Sequence, residues 1–493
     1  MRALVVSAVA LGLAVATAAF ADGRGAAPAE RRADARAAGR AEPSQARIYS
    51  TGVVTWIWDA PRRGNPREHL GYVRLGTSVA LKNAERVAGS GCAGGFVAVE
   101  PRGYVCLDRT ATLDGSGRYL EGMRLVDGID QPLPYRYALS NGAPMYRRLP
   151  TAEEWQKAER FLGKPGSFAP LSWGNRGHEK LAEVRAVAAS DPVPSFLADG
   201  GSIGSAHPLE LVRRTIPLGS MLAFTKAFAY EGRTWLLSTD GTVVPADRVR
   251  PYRESTFHGT ELGRGVALPI AWMRAVARTK YRRAADGSFT ATGERWPARS
   301  YVELASAEPE RGYLLTKEAG AYLAAEDATV VVARESLPIG VAEGEKWLLV
   351  SITQGTLVAY EGLRPVYATL ISPGAGGLPT RGVSPVKTSS TPLGVYRVTF
   401  KHVAATMSPE SGEDRSFWIA DVPYTQYFDA PFALHVAYWH ESFGEPMSAG
   451  CVNLSPIDGK RLFGWTDPAV PEGWNGAQSG GSLGKGTYVV VTR

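Results

Sequence analysis

What this chain lacks narrows its chemistry before any motif is read. Nowhere do His, Asp, Glu or Cys recur at metal-ligand spacing, and there is no Gly-x-Gly-x-x-Gly and no Walker loop. Metal and nucleotide chemistry are therefore not indicated. No basic stretch alternates with aromatic residues, so the net charge of +7 makes no case for nucleic acid. It favours approach to an anionic polymer such as a cell wall, or is an ordinary solvated surface. Beyond the N-terminus no apolar run approaches the roughly 20 residues that a membrane-spanning helix needs. Cysteine is scarce: only Cys92, Cys106 and Cys451 occur in 493 residues.

The chain opens MRALVVSAVALGLAVATAAFADG. Arg2 gives a positive flank, a short apolar run follows, and Ala19-Phe20-Ala21 is a small-x-small cleavage pattern. This predicts a signal peptide over residues 1–21, cut near Asp22, and export to the periplasm or cell envelope without a membrane span afterwards. No cysteine ends the run, which argues against a lipid anchor. Residues 22–46 hold almost no large apolar side chains and read as a flexible leader.

A chain of this length divides into several domains. Residues 47–125 carry short strand-like runs (VVTWIW, GYVRLG, VALK, GFVAVE, GYVCLD) separated by turn signals, the pattern of a small SH3-like β-barrel. Trp56 and Trp58 flank Ile57 and serve either as a ligand platform or as core. Cys92 and Cys106 bracket two short strands and a turn and can pair in an oxidising compartment, closing a loop worth about 3 kcal/mol. Within 126–205, TAEEWQKAERFLG predicts a helix with Thr151 as N-cap, Glu154 completing a capping box, and Trp155, Ala158 and Phe161 at helical spacing. The rest of that segment has no assignable fold. Residues 206–255 form a second β module that loosely echoes the first, and 256–344 a connecting region with a β appendage.

Residues 345–493 hold the chemistry. WLLVSI, TLVAYE, VYATLIS, GVYRVTF, ALHVAY and TYVVVT are strand-like, with Gly and Pro between them, and predict a twisted β-sandwich. The fold class is thus mainly β with short helical insertions. If Cys92 and Cys106 pair, Cys451 is left single in the turn SAGCVNLSP, where catalysis or inert burial must explain it. His435 precedes it by sixteen residues, enough chain for one excursion over the sheet and back. Gly450 removes a side chain beside the sulfur, so that a substrate carbonyl can approach and backbone N–H groups, that of Cys451 included, can stabilise an oxyanion. Asn453 is placed to fix the turn through its side chain.

These residues resemble the L,D-transpeptidase catalytic domain (the YkuD family). The family signature is a histidine, a spacer, then Ser or Thr, His, Gly, Cys, a hydrophobic residue and Asn or Arg. Here it reads His435, twelve residues, Ser448, Ala449, Gly450, Cys451, Val452 and Asn453. Thr391-Pro392-x-Gly394, Val422-Pro423-Tyr424, Tyr438-Trp439-His440, Phe443-Gly444 and Met447-Ser448 match as well. The spacer is slightly short, and Ala449 stands where the family has its second histidine; His440 is the nearest candidate to fill that vacancy.

The resemblance implies Cys451 as nucleophile, His435 as base, and Ser448, Gly450 and Asn453 as the rest of the catalytic turn. Tyr424, Tyr427, Tyr438, Trp439, His440, Phe443 and Met447 would frame the substrate. It implies an acyl-enzyme thioester with a peptidoglycan tetrapeptide stem, resolved by an amine, with no metal or organic cofactor. Water as acceptor would make the protein an L,D-carboxypeptidase, and a protein lysine would make it a tethering enzyme. Two other readings stay open: a wall-binding scaffold weakened by Ala449, whose N-terminal modules contact glycan or an envelope protein, and a cysteine peptidase or amidase of unrelated fold.

Overall fold

The computed structural model describes residues 46–65, 68–123, 131–171, 177–198, 200–201, 210–408 and 418–493. The expected signal peptide, and all but the last residue of the expected leader, lie outside them. Among the described residues no helix is long and apolar enough to cross a membrane. The chain is mainly β, as the short alternating runs predict.

The first β unit runs from Arg47–Ser50 to Ala111–Thr112. Ile48, Ile57, Val79, Leu81, Val97, Val99 and Val105 alternate inward and form its core. The strands fall where the sequence places them, but their pairing order does not by itself identify an SH3-like barrel. Phe96–Val99 and Tyr104–Cys106 pair antiparallel, and the Cys92–Cys106 disulfide is formed beside them.

The second unit begins earlier than its sequence suggests. Arg136–Ser140 and Pro144–Tyr146, within the stretch read as a helical insertion, pair with Met221–Tyr230 and Val212–Thr215. Non-local pairing completes these strands, and each is too short to announce itself. The helix over Ala152–Glu159 has the expected capping box between Thr151 and Glu154. It ends before Phe161, which is 84% exposed rather than on a buried face. The residue buried there is Glu159, held by Arg233 and Arg248 in an ion cluster.

In the connecting region Thr260–Glu261 adds a strand to the C-terminal domain, while Arg278–Arg283, Phe289–Trp296, Tyr313–Leu315 and Tyr322–Ala324 make a separate four-stranded sheet. The C-terminal domain, residues 345–493, is a β-sandwich. One layer is a six-stranded sheet containing Lys346–Ser351, Thr356–Glu361, Arg364–Leu370, Gly394–Arg397 and Tyr488–Thr492. The other runs through Gly476–Gln478, Phe400–Met407, Ile419–Asp429, Phe432–Val436 and Val452–Leu454. Leu348, Val350, Leu357, Phe428, Leu434, Val452, Leu454, Val489 and Val491 fill the space between them.

This second layer continues into both N-terminal units. Gly71 and Tyr72 pair with Ala477 and Gly476, and Met221 pairs with Ile419. The modules and the C-terminal domain therefore share sheet edges instead of hanging on linkers.

Candidate active site

The strand Phe432–Val436 carries His435, and the strand Val452–Leu454 carries Asn453. They pair in parallel, with Leu434 opposite Val452 and His435 opposite Asn453. Phe432, Leu434, Val452 and Leu454 point into the sandwich core. Side chains alternate along strands, so His435, Asn453 and Cys451, one residue before its strand, share the opposite face. The structure thus puts the predicted base in contact with the turn asparagine and leaves Cys451 two residues before that asparagine on the same face.

The turn before Cys451 is held by backbone. Met447 and Ser448 N–H both donate to the Pro373 carbonyl, at 2.9 and 3.0 Å, and Ala375 N–H donates to the Ser448 carbonyl at 2.8 Å. Ser448 Oγ donates to the Cys451 carbonyl and accepts the Gly450 N–H at 3.0 Å. Gly450 also has a local structural role. Its N–H is engaged within the turn, and its φ of 125° is one that side chains rarely adopt. A Cβ there would lie 2.5 Å from the Phe432 ring and 2.9 Å from the Ser390 carbonyl. Glycine is required for the turn itself.

Cys451 is half-buried and outside the disulfide, with Sγ 3.9 Å from the Pro431 carbonyl oxygen. His435 is buried: Nδ1 lies 3.0 Å from the Val436 carbonyl and Nε2 lies 3.1 Å from Asn453 Nδ2. Burial pushes the His435 pKa down to about 4, opposed by the bond to Val436. His440 is held at about 4 as well, by burial against the opposing bond to Asn453. Both imidazoles are neutral near pH 7.

The expected substrate frame is largely packing. Tyr438 has no exposed surface and stacks on Tyr137 at 4.0 Å; Phe443 is equally buried and stacks on Phe257 at 5.3 Å. Tyr424 packs on Phe463, and Tyr427 lies edge-on to His402. His440 is fully buried with Nε2 3.2 Å from Asn453 Oδ1, so it does not line a cleft in place of the histidine that Ala449 replaces. Of the predicted aromatic frame, Trp439 stays beside the base, its ring centre 6.0 Å from that of His435. Met447 is half-buried, its sulfur 3.9 Å from Lys180 Nζ. The reason is the neighbouring units, whose Tyr137, Tyr252 and Phe257 close over the chain after His435.

The sequence reading missed one contributor. Residues 177–181 lie against this loop: Lys180 Nζ donates to Ser442 Oγ at 2.8 Å, Leu181 N–H donates to the Trp439 carbonyl, and the His178 ring faces Trp439. Lys180 and Ser442 are 262 residues apart, and no local signal links them. Among the described residues no group of His, Cys, Asp and Glu is arranged to hold a metal ion. A cavity of about 270 Å³, walled by Asp59, Arg62, Glu68 and His69 and by Gln478–Gly481, lies between the first unit and the catalytic domain and includes none of these site residues.

Comparison with solved structures finds likeness over part of the chain. The catalytic domain of an Enterococcus faecium L,D-transpeptidase is 22% identical, over 31% of this chain and 100% of that one, with a TM-score of 0.21. An L,D-transpeptidase from Mycobacterium smegmatis is 16% identical over 45% of this chain and 81% of that one, with a TM-score of 0.23. One from Mycobacterium tuberculosis H37Rv is 18% identical over 44% and 77%, with a TM-score of 0.21. Comparison with curated proteins finds no match. The family model of the L,D-transpeptidase catalytic domain, YkuD, matches residues 345–491. That span contains the sandwich, the parallel His435–Asn453 register and the Cys451 turn, and it makes the C-terminal part of this chain an L,D-transpeptidase catalytic domain of the YkuD family.

Proposed function

We propose that this protein is an extracytoplasmic, cysteine-dependent peptidoglycan L,D-transpeptidase. Family membership of residues 345–491 implies stem-peptide substrates, and the disulfide fits an oxidising compartment. The observation that supports the reading is the parallel register of His435 with Asn453, two residues after a half-buried Cys451 outside the disulfide, with the imidazole neutral.

In the first step the thiol gives its proton to His435, and the sulfur attacks the carbonyl carbon at the L-centre of diaminopimelate in a tetrapeptide stem. A C–S bond forms, the C–N bond to the terminal D-alanine breaks, and the leaving amine takes the proton back from the imidazolium. In the second step the side-chain amine of a neighbouring stem attacks the thioester carbonyl. A C–N bond forms, the C–S bond breaks, and the amine's proton returns to sulfur through His435. The product is a 3→3 cross-link. Neutral His435 has an unprotonated nitrogen for the first proton, and the burial that lowers its pKa makes the imidazolium a strong acid that readily returns the proton to the leaving amine.

The test is intact-mass analysis of the full chain with a disaccharide-tetrapeptide and, separately, with a carbapenem. Loss of D-alanine, a cross-linked dimer and a covalent adduct that disappears in Cys451→Ala are the expected results. Release of free tripeptide without dimer would make water the acceptor. A wall-binding scaffold is the second reading, favoured by Ala449 in the signature position; absence of adduct and product with reduced Cys451 would favour it over the enzyme.

A further inference from the structure

A chain of four hydrogen bonds crosses the buried side of the site. Ser442 N–H lies 3.2 Å from His440 Nδ1, and His440 Nε2 lies 3.2 Å from Asn453 Oδ1. Asn453 Nδ2 lies 3.1 Å from His435 Nε2, and His435 Nδ1 lies 3.0 Å from the Val436 carbonyl oxygen. Both ends are backbone groups with one possible role each. An amide N–H can only donate, and a carbonyl can only accept.

Those ends fix every proton between them. Ser442 N–H makes His440 Nδ1 an acceptor, so His440 carries its proton on Nε2. That proton is donated to Asn453 Oδ1, which settles the amide orientation and turns Nδ2–H toward His435. His435 Nε2 must then accept, and the ring proton sits on Nδ1, donated to Val436. The imidazole otherwise has two tautomers of similar energy, and which is present depends on such partners.

We infer that His440 is a positioning residue for the base: through Asn453 it holds His435 in the tautomer whose lone pair is on Nε2. This rests on the reading of His435 as the base. His440 is fully buried, so its action on the reaction passes through the asparagine and not through contact with substrate. Without it, Asn453 can turn its amide and present Oδ1 to His435 Nε2, so that it competes with the Val436 carbonyl for the single ring proton; the tautomer protonated on Nε2 that this admits cannot take the thiol proton there. The bond from Asn453 also has to lengthen when Nε2 is protonated, so His440 anchors the part of the asparagine that stays fixed while the other part lets go.

Nitrogen-15 imidazole NMR on the full chain tests this directly, in a Cys451→Ala background where no turnover is needed. Signals of His435 and His440 are assigned by their disappearance in His435→Gln and His440→Gln. The expected result is His435 protonated on Nδ1 and His440 on Nε2. His440→Gln, whose amide nitrogen can still donate to Asn453, keeps the His435 signature, whereas His440→Phe loses it. With Cys451 restored, carbapenem acylation slows roughly tenfold to a hundredfold in His440→Phe and recovers in His440→Gln. His435 protonated on Nε2 in the parent chain, before any His440 substitution, overturns the inference; so does an unchanged signature in His440→Phe. The expected tautomers in a chain that forms no adduct with Cys451 present support the relay and remove the enzyme reading instead.

Discussion

Arg74 of the first β unit and Asp421 of the catalytic domain form a bidentate ion pair, Nη1 to Oδ1 at 2.6 Å and Nη2 to Oδ2 at 3.2 Å, with both side chains buried. Thr239 of the second unit donates its hydroxyl to the same aspartate, and Tyr137 donates to the Asp421 carbonyl at 2.8 Å. Three segments distant in sequence therefore meet on one residue. The pair satisfies charges that neither domain could bury alone.

Arg74→Ala would leave the Asp421 carboxylate buried and uncompensated, a change that costs about 3–5 kcal/mol. Urea denaturation should show a lower midpoint for the catalytic domain, although the substitution lies outside residues 345–491. A midpoint shift confined to the first unit would mean that the domains fold independently.

The fold should weaken in mild acid. Burial depresses His402 to about 3 and His435 and His440 to about 4, from ordinary values near 6.5. Between those limits the unfolded chain binds more protons than the folded one. The stabilisation is thus complete above pH 6.5 and is lost as pH falls toward 4, with a slope of about 1.4 kcal/mol per pH unit for each proton. Melting temperature measured from pH 7.5 to 4.5 should fall most steeply below pH 6.5; the slope should shrink in His402→Phe.

Gly450→Ala forces a methyl against Phe432 and the Ser390 carbonyl at a backbone angle that disfavours it. Overpacking of this kind costs ~1–3 kcal/mol. Thermal melting should register that loss, and the alkylation rate of Cys451 by a maleimide should change with it, because the same turn carries the sulfur. Equal melting and labelling in variant and parent would remove the turn argument.

Thiol titration of the unreduced, denatured chain should count one group, Cys451, and three after reduction. Reduction should lower the stability of the first unit by about 3 kcal/mol if loop closure is the source. Reactivity at Cys451 should survive reduction, since the disulfide packs in the first unit with Trp58 and Phe96.

The chain by itself determined the β content, the capped helix at Thr151, the Cys92–Cys106 pair and the Ser448-to-Asn453 turn. Each is written in residues close together, where strand alternation, a capping box or a glycine turn leaves a local mark. Tertiary structure decided which aromatic side chains face the base. Tyr438 and Phe443 look like channel residues in sequence, but Tyr137 and Phe257, more than a hundred residues upstream, bury them. It also decided what His440 touches, because Asn453 reaches both imidazoles only once two strands lie parallel and in register. A signature motif names the reacting groups; the direction of the hydrogen bonds that set their protons is a property of packing at a distance, and no local spacing encodes it.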